Sequence, residues 1–344
     1  MNLPDAVCEG FGLRAPRITP VIEGHINESW RVTTAKRDLI VQRINGFVFS
    51  NPSVMIANAD RAARALRTYW NDPGLEFIET RDGQLALRDA EGNYWRAARY
   101  VDHIEVTAHG DPEIAFRAAE AFGRVLTGLG TLDVDTWENP IPGFHDLAPR
   151  LTSLDSLVQT DPKGRLSEVG DEVDWVAAHS VRLTWPTEIP RRLIHGDCKL
   201  SNVLFDARRD VVAVVDLDTV MVGYSGWDFG DLVRSAASSA PEDESDTARV
   251  GLDMEVFEAL ASGYKKATAD LLSAPEVESL ALGVPYITFM LGVRFLADYL
   301  DGDRYFRIRH ALQNLHRARA QLSLAGVMLE RLDEMREVLS RTVG

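Results

Sequence analysis

The stretch Leu193-Ile194-His195-Gly196-Asp197-Cys198-Lys199-Leu200-Ser201-Asn202-Val203-Leu204-Phe205 decides how the rest of this sequence is read. An apolar pair leads into His195-Gly196-Asp197, Asn202 follows Asp197 by five residues, and an apolar run comes next. After a polar turn, Val211-Val212-Ala213-Val214-Val215 ends in Asp216. The pattern predicts a loop, a short strand, a turn and a second strand ending in a carboxylate. One hairpin then carries Asp197, Asn202 and Asp216 at its mouth. That set suits transfer of a phosphoryl group from a nucleotide: Asp197 orients an attacking hydroxyl, while Asn202 and Asp216 hold Mg2+ against the phosphates. A lone His-Gly-Asp is an ordinary turn and a lone Val-Val-Asp is any strand end. The joint pattern, in order and with a hairpin between, carries the reading.

The interval from Asp197 to Asn202 matches the catalytic loop of protein kinases. Lys199 resembles the lysine that many such kinases place against the transferred phosphate. His-Gly-Asp in place of His-Arg-Asp, and Val215-Asp216-Leu217-Asp218 in place of Asp-Phe-Gly, resemble instead the aminoglycoside phosphotransferase-type small-molecule kinases. Within that superfamily, residues 195–202 with 216–221 and Trp227-Asp228-Phe229-Gly230-Asp231 resemble the N-acetylhexosamine 1-kinases. The resemblance spans roughly residues 18–325 and is most specific at the catalytic loop. It implies an α+β, bilobal, protein-kinase-like (aminoglycoside phosphotransferase) fold. A small β-rich nucleotide-binding N-lobe is expected over residues 1–103 and a large, mainly helical C-lobe over 104–344. It also implies that Asp228 braces the backbone of the catalytic loop, with His195 beside it. Asp218, next to Asp216, becomes either a second metal ligand or a charge near the sugar.

The N-terminal third opens as a kinase N-lobe does, with strands expected over residues 18–22, 30–33 and 38–44. Two departures matter. Gly24 stands alone where a glycine-rich loop would cover the phosphates, and Gln42 occupies the place of the usual third-strand lysine. Arg43, on the opposite face by strand alternation, is the candidate for the missing charge. Its plain alternative is a surface arginine on an edge strand. Gly24-His25-Ile26-Asn27 and Gln42-Arg43-Ile44-Asn45 again resemble the hexosamine kinases, and the resemblance gives His25 a sugar contact. Residues 52–70 have the spacing of an amphipathic helix but no central Glu, so the kinase Lys–Glu pair is missing at both ends. Strands are expected over 77–80, 85–88 and 94–100. The hinge follows, where the backbone of Tyr100 and Val101 would meet an adenine.

Asp111-Pro112-Glu113 has the chemistry of a helix start: Asp as N-cap, Pro at the first position, Glu in the first turn. Helices are also expected over 147–157, 166–183, 250–272, 275–299, 305–324 and 327–339. By resemblance, Arg294 and Tyr305 bind the sugar. Their plain alternatives are a helix-surface charge and a partly buried core tyrosine.

Composition narrows the classes further. The 344 residues are 45% hydrophobic and 26% charged, with a formal charge of −15. Net acidity argues against nucleic-acid binding, which rests on neutralising phosphates. It would suit a cationic substrate, but solubility accounts for it as well. Cys8 and Cys198 fit a reducing cytosol. No signal peptide is visible, and no apolar run reaches the roughly 18 residues of a membrane span. Together with the resemblance to the hexosamine kinases, which implies the acceptor, the reading is a cytoplasmic ATP- and Mg2+-dependent kinase, monomer or homodimer, phosphorylating the anomeric hydroxyl of an N-acetylhexosamine. The rivals are a kinase for an aminoglycoside, amino alcohol or homoserine, and a pseudokinase that binds without transfer.

Overall fold

A computed structural model describes residues 3–21, 26–70, 74–107, 110–186 and 188–341. Its chain forms two compact units. The first comprises Met1–Glu105, Gly128–Pro142 and Asn202–Val222; the second comprises Val106–Thr127, Gly143–Ser201 and Gly223–Gly344. The division is thus not a single cut after residue 103.

The first unit holds an antiparallel sheet of Arg17–Val21 (β1), Glu28–Thr33 (β2), Asp38–Arg43 (β3), Phe77–Ile78 (β4), Leu87–Arg88 (β5) and Tyr94–Arg99 (β6). The strand order is β1-β2-β3-β6-β4, with β5 also on β6. Alternation sends Trp30, Val32, Leu39, Val41, Trp95 and Ala97 into one core. Asp5–Gly10 (α1), a helix that the sequence reading did not anticipate, closes that core with Val7, and Leu3 and Phe11 flank it. Pro52–Trp70 (α2) buries Met55, Ile56, Ala59, Ala62, Ala63 and Leu66.

Two later segments join this unit for identifiable reasons. Trp137 Nε1 donates to the Val220 carbonyl at 2.9 Å, Asn58 Nδ2 to the Glu138 carbonyl at 2.8 Å, and the Val222 N–H to Asn139 Oδ1 at 2.8 Å. The Ile104 N–H donates to the Phe205 carbonyl at 2.8 Å.

The second unit is mainly helical: Pro112–Leu129 (α3, whose last two residues fall in the first unit), Leu147–Thr160 (α4), Gly170–Ser180 (α5), Ser225–Ala236 (α6), Met254–Thr268 (α7), Ala274–Asp301 (α8), Gln313–Glu330 (α9) and Leu332–Arg341 (α10). The Ile114 N–H donates to Asp111 Oδ1 at 3.2 Å, so Asp111 does cap α3. Helices α6 and α8 approach closely because Gly226, Gly230 and Gly283 lie at their crossing, where an added Cβ would strike the opposing backbone. Helix α8 also corrects the membrane reading. It has the length and apolarity of a membrane span, with a mean hydropathy of 1.7, but 83% of that window is buried inside the protein. A helix apolar on all sides is here the core of a large helical unit.

The expected helix over 305–324 starts later, at Gln313. The Asp298 carboxylate accepts the N–H groups of Arg304, Tyr305 and Phe306 at 2.8 to 2.9 Å, which holds that segment in a non-helical turn. Such side-chain capping competes directly with helix hydrogen bonds.

Candidate active site

The catalytic-loop sequence is launched from Arg192–Ile194 (β7), where Leu193 and Ile194 are buried. The chain then turns at Gly196, whose φ of +80° is readily adopted only by glycine. Asp228, on α6, holds this turn. Its Oδ2 accepts the His195 N–H at 2.7 Å and its Oδ1 accepts the Gly196 N–H at 2.8 Å. Burial pushes the Asp228 pKa up, while the neighbouring His195 side chain and those two N–H groups oppose the shift.

His145 holds the other side. Its Nε2 lies 2.9 Å from the Gly196 carbonyl, which can only accept, so Nε2 carries the proton. The ring is wedged beside Phe144 and Trp227, and burial pushes its pKa down to about 4. Gly196 is thus held at both its amide and its carbonyl, one residue before Asp197. Nothing in the local sequence around His145 marks it for this role.

His195 is fully buried, edge-on to Phe122, and its Nδ1 accepts the Asp197 N–H at 3.3 Å. Cys198 is buried too. Burial, then the carboxylate of Asp228, pushes its thiol well above the ordinary range, so it packs and does not attack. Asp197 and Lys199 turn outward and pair, Nζ to Oδ2 at 2.8 Å, each side chain about one-quarter open. Arg294 belongs to the same surroundings, since the Asp197 charge supports its protonated form. The Arg294 guanidinium lies over the rings of Phe144, Tyr305 and Phe306 at 4.8, 5.5 and 5.3 Å, and Tyr305 favours its protonated form.

The metal candidates belong to the first unit, on the hairpin of Val203–Phe205 (β8) and Val211–Val214 (β9). Val203 faces Val214 in this ladder, and the Val215 N–H donates to the Asn202 carbonyl at 2.9 Å. The register therefore sets Asn202 beside the strand end that delivers Asp216. Asp216 has φ +64° and ψ +53°, a left-handed conformation that a non-glycine residue holds only under constraint. Among the described residues no three His, Cys, Asp or Glu side chains gather as a metal cluster. One amide and one carboxylate nevertheless fit Mg2+, which commonly takes few protein ligands and completes its shell with water and phosphate oxygens.

Asp218 lies away from any open surface. It is 3% exposed and paired with Arg96 of β6, Nη1 to Oδ1 at 2.5 Å. Its Oδ2 accepts from Arg96 Nη2 at 2.9 Å and from Asn27 Nδ2 at 2.8 Å. Gln42, the residue in the lysine position, accepts two further hydrogen bonds from Arg96 at 2.7 and 2.9 Å. A buried cation does lie on the neighbouring strand, directly across the ladder from Gln42, and it is answered by Asp218. The sequence reading passed over Arg96 because it sought the charge on β3 alone.

A family model for the phosphotransferase enzyme family, APH, matches residues 17–267, well over half the chain. The chain belongs to the phosphotransferase enzyme family. Solved structures agree on the fold of this phosphotransferase: a small antiparallel sheet lobe and a mainly helical lobe of kinase type. An aminoglycoside phosphotransferase from Alicyclobacillus acidocaldarius subsp. acidocaldarius DSM 446 superposes with a TM-score of 0.66 at 14% identity, covering 99% of this chain and 97% of that one. A microcompartment-associated aminopropanol kinase gives 0.64 at 14%, covering 96% and 97%. Amicoumacin kinase hAmiN, solved with AMP-PNP, Ca2+ and Ami, gives 0.61 at 12%, covering 98% and 92%. At such identities the likeness concerns the fold alone.

The remaining candidates of the phosphotransferase have these places. Arg43 pairs across strands with Glu28, Nη2 to Oε1 at 2.7 Å, both side chains more than one-third open. The Tyr100 N–H donates to the Asp38 carbonyl at 3.0 Å and its ring lies under Arg31 at 3.8 Å. The Val101 carbonyl meets His103 Nδ1 at 2.8 Å. Gly24 and His25 lie outside the described residues.

Proposed function

We propose that this phosphotransferase transfers the γ-phosphoryl group of ATP to the anomeric hydroxyl of an N-acetylhexosamine, giving the sugar 1-phosphate. The observation that carries the proposal is the outward-facing Asp197–Lys199 pair whose carboxylate also supports the charge of Arg294 beside Tyr305. A base, a cation for the transferred group and a polar, aromatic-lined place for an acceptor thus occur in one set of surroundings.

Asp197 orients the acceptor hydroxyl and takes its proton as the new oxygen–phosphorus bond forms and the bond from the γ-phosphorus to the β–γ bridging oxygen breaks, releasing ADP. Lys199 offsets charge on the transferred group. Asn202 and Asp216 would hold Mg2+, which when bound neutralises the nucleotide phosphates. Gly196, fixed by Asp228 and His145, sets the direction from which Asp197 approaches. Tyr305 and Arg294 would position the acceptor, Arg43 and Gly24 would serve the nucleotide, and the backbone of Tyr100 and Val101 would meet the adenine. His25 contacts the sugar.

A second reading keeps the phosphoryl transfer and changes the acceptor to an aminoglycoside or amino alcohol; the names of the superposable structures favour it. ATP turnover measured with N-acetylglucosamine, N-acetylgalactosamine, glucose, kanamycin and aminopropanol separates the two. Fastest turnover with an acetamido sugar supports the proposal, and turnover confined to the amines replaces it.

A further inference from the structure

Arg150, on α4, plays no part in the site as read so far, yet it meets Arg294 of α8 around a single residue. Arg150 Nη2 donates to the Phe144 carbonyl at 3.1 Å, while the Arg294 guanidinium lies over the Phe144 ring. The two cations are close enough that Arg150 disfavours the charge on Arg294. Burial pushes both pKa values down, and both guanidinium groups also feel Tyr305. Among the described residues neither arginine has a carboxylate at salt-bridge distance. Their nearest anionic support is indirect: Asp146, an exposed residue, for Arg150, and Asp197, already paired with Lys199, for Arg294.

Like charges brought together in a desolvated place are costly unless something answers them. Among the described residues nothing supplies the answer. Arg150 Nε is buried with no hydrogen-bond partner, and its other bonds are two backbone carbonyls, one of them at 3.4 Å. Arg294 spends its ring-facing surfaces on three aromatic side chains, Tyr305 among them. A guanidinium has five N–H donors, so most of those on Arg294 remain for a ligand. Carbonyl and carboxylate oxygens are the groups that such a fork binds best. An ammonium group would meet two unneutralised cations.

We propose that Arg150 and Arg294 together form an electropositive wall of the acceptor site that selects molecules bearing a carbonyl or carboxylate oxygen and rejects those bearing an ammonium. The inference rests on the acceptor site lying beside Asp197, as proposed above. It goes further in assigning Arg150 and in fixing the charge class of the acceptor, which the net acidity of the chain would have placed on the opposite side.

The test is calorimetric binding of N-acetylglucosamine, glucuronic acid, glucosamine and aminopropanol to the full chain with ATP-analogue and Mg2+ present, alongside steady-state turnover. The wild-type protein binds N-acetylglucosamine or glucuronic acid at least ~10-fold tighter than glucosamine or aminopropanol. In Arg150→Gln that ratio falls toward one while the melting temperature stays within a few degrees; Arg150→Met serves if the Gln variant does not fold. The acetamide and carboxylate arms show which oxygen the wall prefers. Equal or tighter binding of the amines, an unchanged ratio in the variants, or no binding of any of the four overturns the wall. Selective binding with no turnover on any acceptor leaves the wall standing and overturns the kinase reading instead.

Discussion

Arg96 and Asp218 form a buried ion pair, Nη1 to Oδ1 at 2.5 Å, with side chains 3% and 2% exposed. The pair joins β6 to the turn just after Asp216; Gln42 accepts from Arg96, and Asn27 donates to Asp218 Oδ2. Removing one partner leaves an uncompensated charge, so Arg96→Met or Asp218→Leu alone should cost about 3–5 kcal/mol in urea unfolding. The double variant Arg96→Met/Asp218→Leu should regain most of that loss. Additive losses in the double variant would mean that the two residues stabilise the protein independently.

Asp197→Asn should lower kcat about 10²- to 10⁴-fold, the usual worth of a positioned base, while nucleotide affinity stays unchanged. Stopped-flow turnover and calorimetry with AMP-PNP read the two quantities separately. A variant that still turns over at near wild-type rate would remove Asp197 from the chemistry.

Asp216 is held at φ +64°. Asp216→Ala and Asp216→Gly should both lose Mg2+-dependent nucleotide binding, but their stabilities should differ. Glycine adopts that backbone freely, so the Gly variant should be more stable than the Ala variant by up to about 1 kcal/mol. The reverse order would show that the left-handed conformation is not retained.

His145 is neutral in the fold, with its pKa pushed from 6.5 to about 4 by burial. The unfolded chain therefore takes up a proton at higher pH than the folded protein does. The contribution is fully present above the unfolded pKa and is lost as pH falls toward the folded one, amounting to about 2 kcal/mol by pH 5. Unfolding measured at pH 7 and pH 5 should show this loss in the wild type and a smaller one in His145→Phe. The same variant should lower kcat with ATP KM unchanged, and His145→Gln, which can still donate to Gly196, should restore much of it. A loss of kcat that Gln does not restore would separate the packing of His145 from its hydrogen bond.

Much of this architecture is legible in the residues. The alternation of β2, β3 and β6, the Asp111-Pro112-Glu113 helix start and the hairpin after Asn202 are local patterns, and local patterns survive into the fold. What escaped was decided by distant partners. The short helix α1 exists because Val7 covers a sheet core assembled from residues 30–97. The turn at 304–306 exists because Asp298, inside a helix, captures three N–H groups. Arg96 reaches Asp218 across more than a hundred residues, and His145 reaches Gly196 across 51. The apolar length of α8 looked unremarkable in sequence, and only its burial shows why such a helix lies within the protein.

Phosphorylation of the sugar at its anomeric oxygen gives a product that can be read without ambiguity. Phosphorus-31 NMR of the product from ATP, Mg2+ and N-acetylglucosamine tests it most directly. A phosphomonoester signal coupled to the anomeric proton is expected, and it should be absent with Asp197→Asn. A phosphomonoester on any other hydroxyl, or inorganic phosphate as the sole product across the acceptor panel, would contradict it.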